Sequence, residues 1–445
     1  MSYVRLLIVA LAVVTTSAAS ANTYYVDDTG NNANPGTLSQ PFRTLSYAVN
    51  QLSAGDTLYV RDGLYQESVL IWNRHGTSSA NIVIENYSNE TPTIDASGTN
   101  ESGIIINESS YIYVGGLEVK DADKSGIFIW DAHDVWVAWN VVHGNYFFGI
   151  HAGTDEYNLT YNIKMEGNEV YDNVRHNINH DANPWYQALS AYNTHDVEML
   201  GNFVYENYGE GIDYILSDDG TIKDNFSWDN FGCNLYLDNA TDTVVDGNFI
   251  INGWAGDPEA FYRDGNPAIG IAVANEWYYR QNPAYNLTIT NNIAAFNSHA
   301  FVYWDSQYGG GLDNVTIANN TFAESTDIMF IIEGTTPHSN TSVKNNIFYQ
   351  TSGENYAWAP ATNITYQTNN WYGGNVNTHK AGTNDVMSNP LFVHTYGGWD
   401  VDDYKIQTTS PCKNAGTTVT AVTDDYYVPG TARSGTYDIG AHEYR

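Results

Sequence analysis

Between residues 100 and 370 the chain alternates apolar and polar positions in short runs, and one phrase keeps returning: apolar, polar, apolar, any residue, Gly or Asn, then Asn. It closes at Asn145, Asn168, Asn202, Asn225, Asn248, Asn292, Asn320, Asn346 and Asn370, at intervals of 23, 34, 23, 23, 44, 28, 26 and 24 residues. A near-constant period with occasional enlargements marks a solenoid whose insertions sit in loops. Runs rich in Val, Ile, Thr and Tyr with period two predict strands, and only Thr44 to Leu52 (TLSYAVNQL) has a helical period outside the first residues. Strands this short bury their inward faces only by stacking coil upon coil. The recurring Asn is read as structural: at a tight bend its side chain tolerates left-handed backbone and bonds the next coil's amide.

A second phrase opens the longest strand of each coil. It reads GIIIN from Gly103, GIFIW from Gly126, GIHAG from Gly149, ALSAY from Ala188, GIDYI from Gly211, CNLYL from Cys233, GIAVA from Gly270 and AFVYW from Ala300. Placing Ile150, Leu189, Ile212, Leu235, Ile271 and Phe301 inside turns the alternate residues outward. Stacking the coils then gives a first outward column of His151, Ser190, Asp213, Asn234, Ala272 and Val302. A second holds Gly153, Tyr192, Ile215, Tyr236, Ala274 and Trp304, and a third Asp155, Thr194, Ser217, Asp238, Glu276 and Ser306. Asp238 and Glu276 are thus expected as vertical neighbours about 4.8 Å apart in backbone, a pair that shares a proton or holds calcium. Phe128, Trp130, Tyr192, Tyr236 and Trp304 fall on one face, a track on which sugar rings stack. The two enlarged intervals place loops at 175–185 and 254–267 beside that face, walling a groove around Asp213 and Tyr236. They bring Arg175, His176, His180 and Arg263 to it.

Charge narrows the partner. With 17 Lys and Arg against 51 Asp and Glu, the net charge is −34, which repels nucleic acid because such binding rests on cations that neutralise phosphate. Cys233 and Cys412 fall far apart in the repeat, so no disulfide is expected. Residues 1–21 read as an export signal: Arg5, the apolar run Leu6 to Val14, then Ala19, Ser20 and Ala21 at the cleavage position. The run is too short to cross a bilayer, which takes about 20 apolar residues. The mature chain is expected to be a monomer outside the cytoplasm, forming one solenoid from 22 to 445.

The opening TYYVDDTGNNANPGTLSQPFRTLSYAVNQLSAGDTLYVRDGLYQESV resembles the first coil of secreted β-helix enzymes, including pectate-lyase-like proteins. The closing SPCKNAG and YDIGAHEY resemble the last coil of the same group. The resemblance implies an all-β, right-handed single-stranded parallel β-helix. It further implies an N-terminal cap over about 22–100 that includes the short helix, and a C-terminal capping coil over about 405–445. It also implies a polysaccharide substrate, and for its lyases a Lys or Arg base with calcium held by Asp. Here no Lys or Arg occupies any of the three columns.

Three functions remain open at this point. The favoured one is β-elimination on a uronic-acid polysaccharide, with Asp213, His151, Tyr192, Tyr236 and His176 as catalytic candidates. Trp130, Trp304, Arg175, Arg263 and Asn234 are then the substrate-binding candidates, and Asp238 with Glu276 the calcium ligands. Glycoside hydrolysis by a carboxyl pair drawn from Asp213, Asp238 and Glu276 is the second. A glycan-binding solenoid without catalysis is the third.

Overall fold

The computed structural model describes residues 21–180, 185–253, 256–276, 283–305, 310–333, 337–355, 363–375, 382–394, 398–433 and 435–444. All of the expected export signal except Ala21 lies outside these residues, as do parts of both loops and Ser306. Three long sheets of 13, 10 and 12 strands run the length of the molecule, and successive strands of a coil visit them in turn. The pairing is parallel from coil to coil, as in Ile127–Trp130 with Ile150–Gly153 and Glu210–Ile215 with Cys233–Asp238. The result is a parallel β-helix. Its interior is a continuous stack of Val, Ile, Leu, Met and Phe, the only way such short strands can leave water.

The six inward residues align as the alternation requires. Ile150 pairs with Leu189, Leu189 with Ile212, Ile212 with Leu235, Leu235 with Ile271 and Ile271 with Phe301. Thr44 starts the one α-helix among the described residues, Leu45–Ala48, by accepting from the Tyr47 amide. A 3-10 turn, Val49–Gln51, extends it. Leu45, Ala48, Val49 and Leu52 are all buried, closing the apolar end of the stack.

The Asn ladder is real and there are two of them. In the first, Asn140, Asn168, Asn202, Asn225 and Asn248 each donate from backbone and side chain to the carboxamide oxygen of the next coil's Asn. It continues through Asn292, Asn320 and Asn346 to Asn369. Asn145 belongs to the second ladder, with Asn173, Asn207 and Asn230. So the ends of the repeat read from sequence move from Asn145 to Asn140 and from Asn370 to Asn369. The left-handed residue at the bend is also not the ladder Asn but its predecessor: Gly167, Gly201, Asp224, Gly247 and Asn291 all have positive φ.

Among the described residues of 405–445 there is no strand in any of the three sheets; the segment packs against the side of the stack. Phe392, Tyr404, Ile406, Cys412, Ile439 and Ala441 pack on Trp228, Phe249, Ile251, Ile293 and Ala295, the outer face of the 12-stranded sheet. Buried Arg433 pins it there, donating to Asn291 Oδ1 (3.0 Å) and pairing with Glu443 (3.1 Å). Cys233 and Cys412 are both free and buried.

Candidate active site

The ten-stranded sheet carries the site. At the corner where each of its strands begins, two consecutive residues face inward, and this breaks the simple alternation. A Cβ on Gly126 would meet Val142 Cγ1 at 2.3 Å and one on Gly211 would meet Asn230 Nδ2 at 2.8 Å. That crowding explains the repeated Gly before the inward Ile. Counting through it has two consequences. Asn234, which takes the place of Gly211 one coil on, is wholly buried and inserted in the second ladder. It accepts from Asn230 and donates to Asn252, so it is no substrate-binding residue. Glu210, one residue before the corner glycine, faces outward into the groove; the sequence reading missed it.

The coil of Asn234 is displaced by two from the expected columns, while Ala272, Val302, Ala274 and Trp304 keep their places. Asp213 stands beside Tyr236, and Asp238 beside Ala274, not beside Glu276. The groove over these strands is a cavity of about 760 Å³ with Glu210, Asp213, Tyr236, Asp238, Glu276 and Trp304 among its lining. Trp185 and Arg263, from the two loops, wall it, with the guanidinium 4.6 Å from the indole centroid. His180 Nε2 meets the Ala260 carbonyl oxygen at 2.7 Å, joining one loop to the other. Trp185 and Arg263 thus border the groove, and Asp213 within it is only 1% exposed.

Four carboxyl groups in so little water cannot all ionise freely. Glu210 hydrogen-bonds Asp213 and Gln187, and burial pushes its pKa up to about 7. Burial, with the Glu210 and Asp238 charges, raises Asp213 well above the ordinary range. Asp238 is pushed up to about 8 by burial and by Glu276 and Glu210. Asp213 Oδ1 is buried with no hydrogen-bond partner. Glu276 differs, because it accepts from the Tyr236 hydroxyl and the Trp304 indole, each at 3.0 Å. Burial and the surrounding carboxylates hold the Tyr236 pKa well above 10. Tyr236 is thus a donor to Glu276 and no base at neutral pH.

The remaining candidates lie elsewhere. His151 is buried, its pKa lowered to about 3, with Nδ1 at 2.8 Å from Ser190 Oγ. It stays neutral beneath Phe148 and Phe128 and does not reach the groove. His176 packs among Tyr146, Phe147 and Tyr186. Arg175 is held by Asp172 at 2.6 Å and Asp121 at 3.8 Å. Tyr192 sits half-buried on the same sheet, paired with Ile215, outside the lining of this cavity. Trp130 lines a second cavity toward the N-terminus. His299 and Gln187 join the lining without having been read from sequence.

Calcium takes six to eight oxygen ligands. Carboxyl oxygens are suitable donors, and Asp213 Oδ1 has no other partner. Among the described residues, however, no three Asp, Glu, His or Cys side chains converge into a set that holds a metal. Asp238 and Glu276 line the same groove, with Glu276 turned to Tyr236 and Trp304.

Residues 24–340 match a family described as "Pel9A-like, right handed beta helix region". The Bacillus subtilis protein YwoF is 24% identical over 392 residues, covering 76% of this chain and 82% of that one. Pectate lyase L of Paenibacillus polymyxa is 37% identical over 131 residues, covering 26% of this chain and 29% of its own length. Pectate lyase PEL9 of Emericella nidulans is 25% identical over 210 residues, 47% of this chain and 46% of its own. Among solved structures, pectate lyase Pel9A superposes with a TM-score of 0.58 at 18% identity, over 95% of this chain and 96% of that one. The GH136 lacto-N-biosidase of Eubacterium ramulus gives 0.53 at 13% identity, over 78% and 68%. At these identities the superpositions establish the fold alone.

Proposed function

Because the chain belongs to the Pel9A-like right-handed β-helix family, we propose that it is a secreted enzyme that cleaves an acidic, uronic-acid polysaccharide by β-elimination. The observation that carries this is the loop-covered groove with a buried, proton-sharing carboxyl pair, Glu210 and Asp213, and one cation, Arg263, in its wall. Elimination removes the proton at C5 of the uronate, breaks the C4–O bond and leaves a C4–C5 double bond. A carboxylate with pKa near 7 is well matched to take that proton at neutral pH. Arg263 is the partner for the substrate carboxylate, and Asp238, still protonated near neutrality, is the donor available to the departing oxygen.

A second reading is favoured by one specific observation: a Glu held protonated to about pH 7 suits the general acid of a glycoside hydrolase. The two readings predict opposite pH profiles. As a base, the Glu210–Asp213 pair must ionise, so elimination speeds up as the pH rises through about 7. As an acid, Glu210 must keep its proton, so hydrolysis slows over the same range.

The test incubates the full chain with uronate and neutral polysaccharides while following ultraviolet absorbance of the new double bond and reducing ends. Absorbance gain on a uronate polymer supports the proposal. Reducing ends without absorbance transfer it to the hydrolase, and neither product from any polymer sinks both. A chelator arm belongs in the same assay. A chelator-insensitive rate matches the carboxyl geometry described, and a rate restored only by calcium would mean that the carboxyls regroup around the ion. Arg263→Ala is expected to lower kcat/KM on the acidic polymer about tenfold, chiefly through KM, the worth of one charge-assisted hydrogen bond. An unchanged KM removes Arg263 from substrate binding.

A further inference from the structure

We infer that the second cavity on the same face is a distal sugar subsite, holding a glycosyl residue of a long substrate several units from the bond being broken. This rests on the polysaccharide reading of the groove. The cavity measures about 510 Å³ and is bordered by Phe128, Trp130, Phe147 and Tyr186, a size ordinary for a small-ligand site. Phe128 and Trp130 leave the same strand on its outward face, their rings within 8° of parallel and centroids 5.4 Å apart. Neither is fully covered. Phe147 and Tyr186, 4.5 Å apart, stand beside them.

Such an arrangement of aromatic faces is well suited to one kind of occupant, a ring that is apolar on its faces and polar around its edge. A pyranose is that ring: axial and equatorial C–H groups meet the aromatics, and hydroxyl or carboxylate groups point to the rim. The rim supplies their partners, with Lys124 and Glu101 in an exposed ion pair at 2.8 Å. Lys124 is a scarce cation in a chain of net charge −34, and although Glu101 balances its charge, its ammonium keeps further N–H donors for the oxygens of a sugar.

The cavity's position ties it to the groove. The strand carrying Trp130 pairs with Ile150–Gly153, then Gln187–Tyr192, then Glu210–Ile215 with Asp213. Three steps of about 4.8 Å place the two cavities about 14 Å apart along the face, a span of several sugar units. One loop borders both: Tyr186 lines this cavity and Trp185 lines the groove over Asp213. The buried His151, the register partner of Phe128 on the next coil, stacks against Phe128 and Phe148 and holds the aromatic cluster at its edge.

The experiment compares kcat/KM across an oligosaccharide length series for the wild-type chain and for Trp130→Ala. In wild type, kcat/KM is expected to climb with length until an oligomer spans both cavities. In Trp130→Ala the ratio of long-oligomer to short-oligomer kcat/KM is expected to drop about tenfold, the scale of a well-placed aromatic contact. A ratio equal to that of wild type overturns the subsite while leaving cleavage intact. Thermal melting of the variant checks that the half-exposed Trp130 has been removed without unfolding its coil. If no oligosaccharide is cleaved at all, equilibrium binding of the same series by tryptophan fluorescence decides. Affinity that grows with length and depends on Trp130 keeps the subsite and sinks the cleavage reading; affinity independent of Trp130 sinks the subsite.

Discussion

Asp213→Asn is expected to lower turnover at least about 10²-fold and, at neutral pH, to melt at a higher temperature than the wild type. Both effects come from the same burial. Asp213 is 1% exposed, bonded to Glu210 and beside Asp238, so its carboxyl keeps a proton far above the ordinary range. In the unfolded chain it ionises near pH 4. Over the interval from about pH 4 up to the raised folded value, the unfolded state therefore binds fewer protons than the folded one. Stability falls as pH rises through that interval. Glu210, raised to about 7, and Asp238, raised to about 8, act in the same direction. An Asn keeps the shape, cannot ionise and escapes its share of the loss. The gain in melting temperature should grow from pH 5 to pH 8 and vanish below about pH 4. Activity assays and melting curves across that range test it. Full turnover would remove Asp213 from the chemistry, and a melting temperature no higher at pH 8 would show that the carboxyl is not held protonated.

The second large effect is structural. Asn225→Ala is expected to cost about 3–5 kcal/mol, measured by denaturant unfolding, because it strands several buried polar groups at about 1–3 kcal/mol each. Its carboxamide oxygen accepts from the Asn202 backbone amide (2.8 Å) and side chain (3.0 Å). Its amide nitrogen donates to the Met199 carbonyl and to Asn248 Oδ1, both at 2.9 Å. At 2% exposure no water replaces these partners. Asn81→Ala, at an exposed position with ordinary negative-φ backbone, serves as the comparison and is expected to shift stability by no more than about 0.5 kcal/mol. Equal losses in the two would show that the ladder carries no special share of the stability.

The Asp213 experiment also bears on how this site is best located in related chains. The residue before the corner glycine, here Glu210 before Gly211, is an equally good place to look for an acid. That position was visible in the repeated phrase, had the corner been counted as two inward residues.

What the sequence determined was everything governed by period. Parallel coils, the inward file Ile150, Leu189, Ile212, Leu235, Ile271 and Phe301, and the existence of two enlarged loops all follow from spacing, because only inward apolar side chains escape water in a solenoid. What only the tertiary structure decided was everything governed by contact between coils. The corner, where the Cβ of Gly211 would run into Asn230, turned Asn234 inward and Glu210 outward and shifted Asp238 away from Glu276. Burial, with the charges of Glu210 and Asp238, raised the pKa of Asp213. Aromatic packing covered His151 and neutralised it, and ion pairs with Asp172 and Asp121 held Arg175 away from the groove. A repeat fixes which way a side chain starts out; its charge state and its partners depend on residues that are distant in the chain, and spacing along one coil does not contain them.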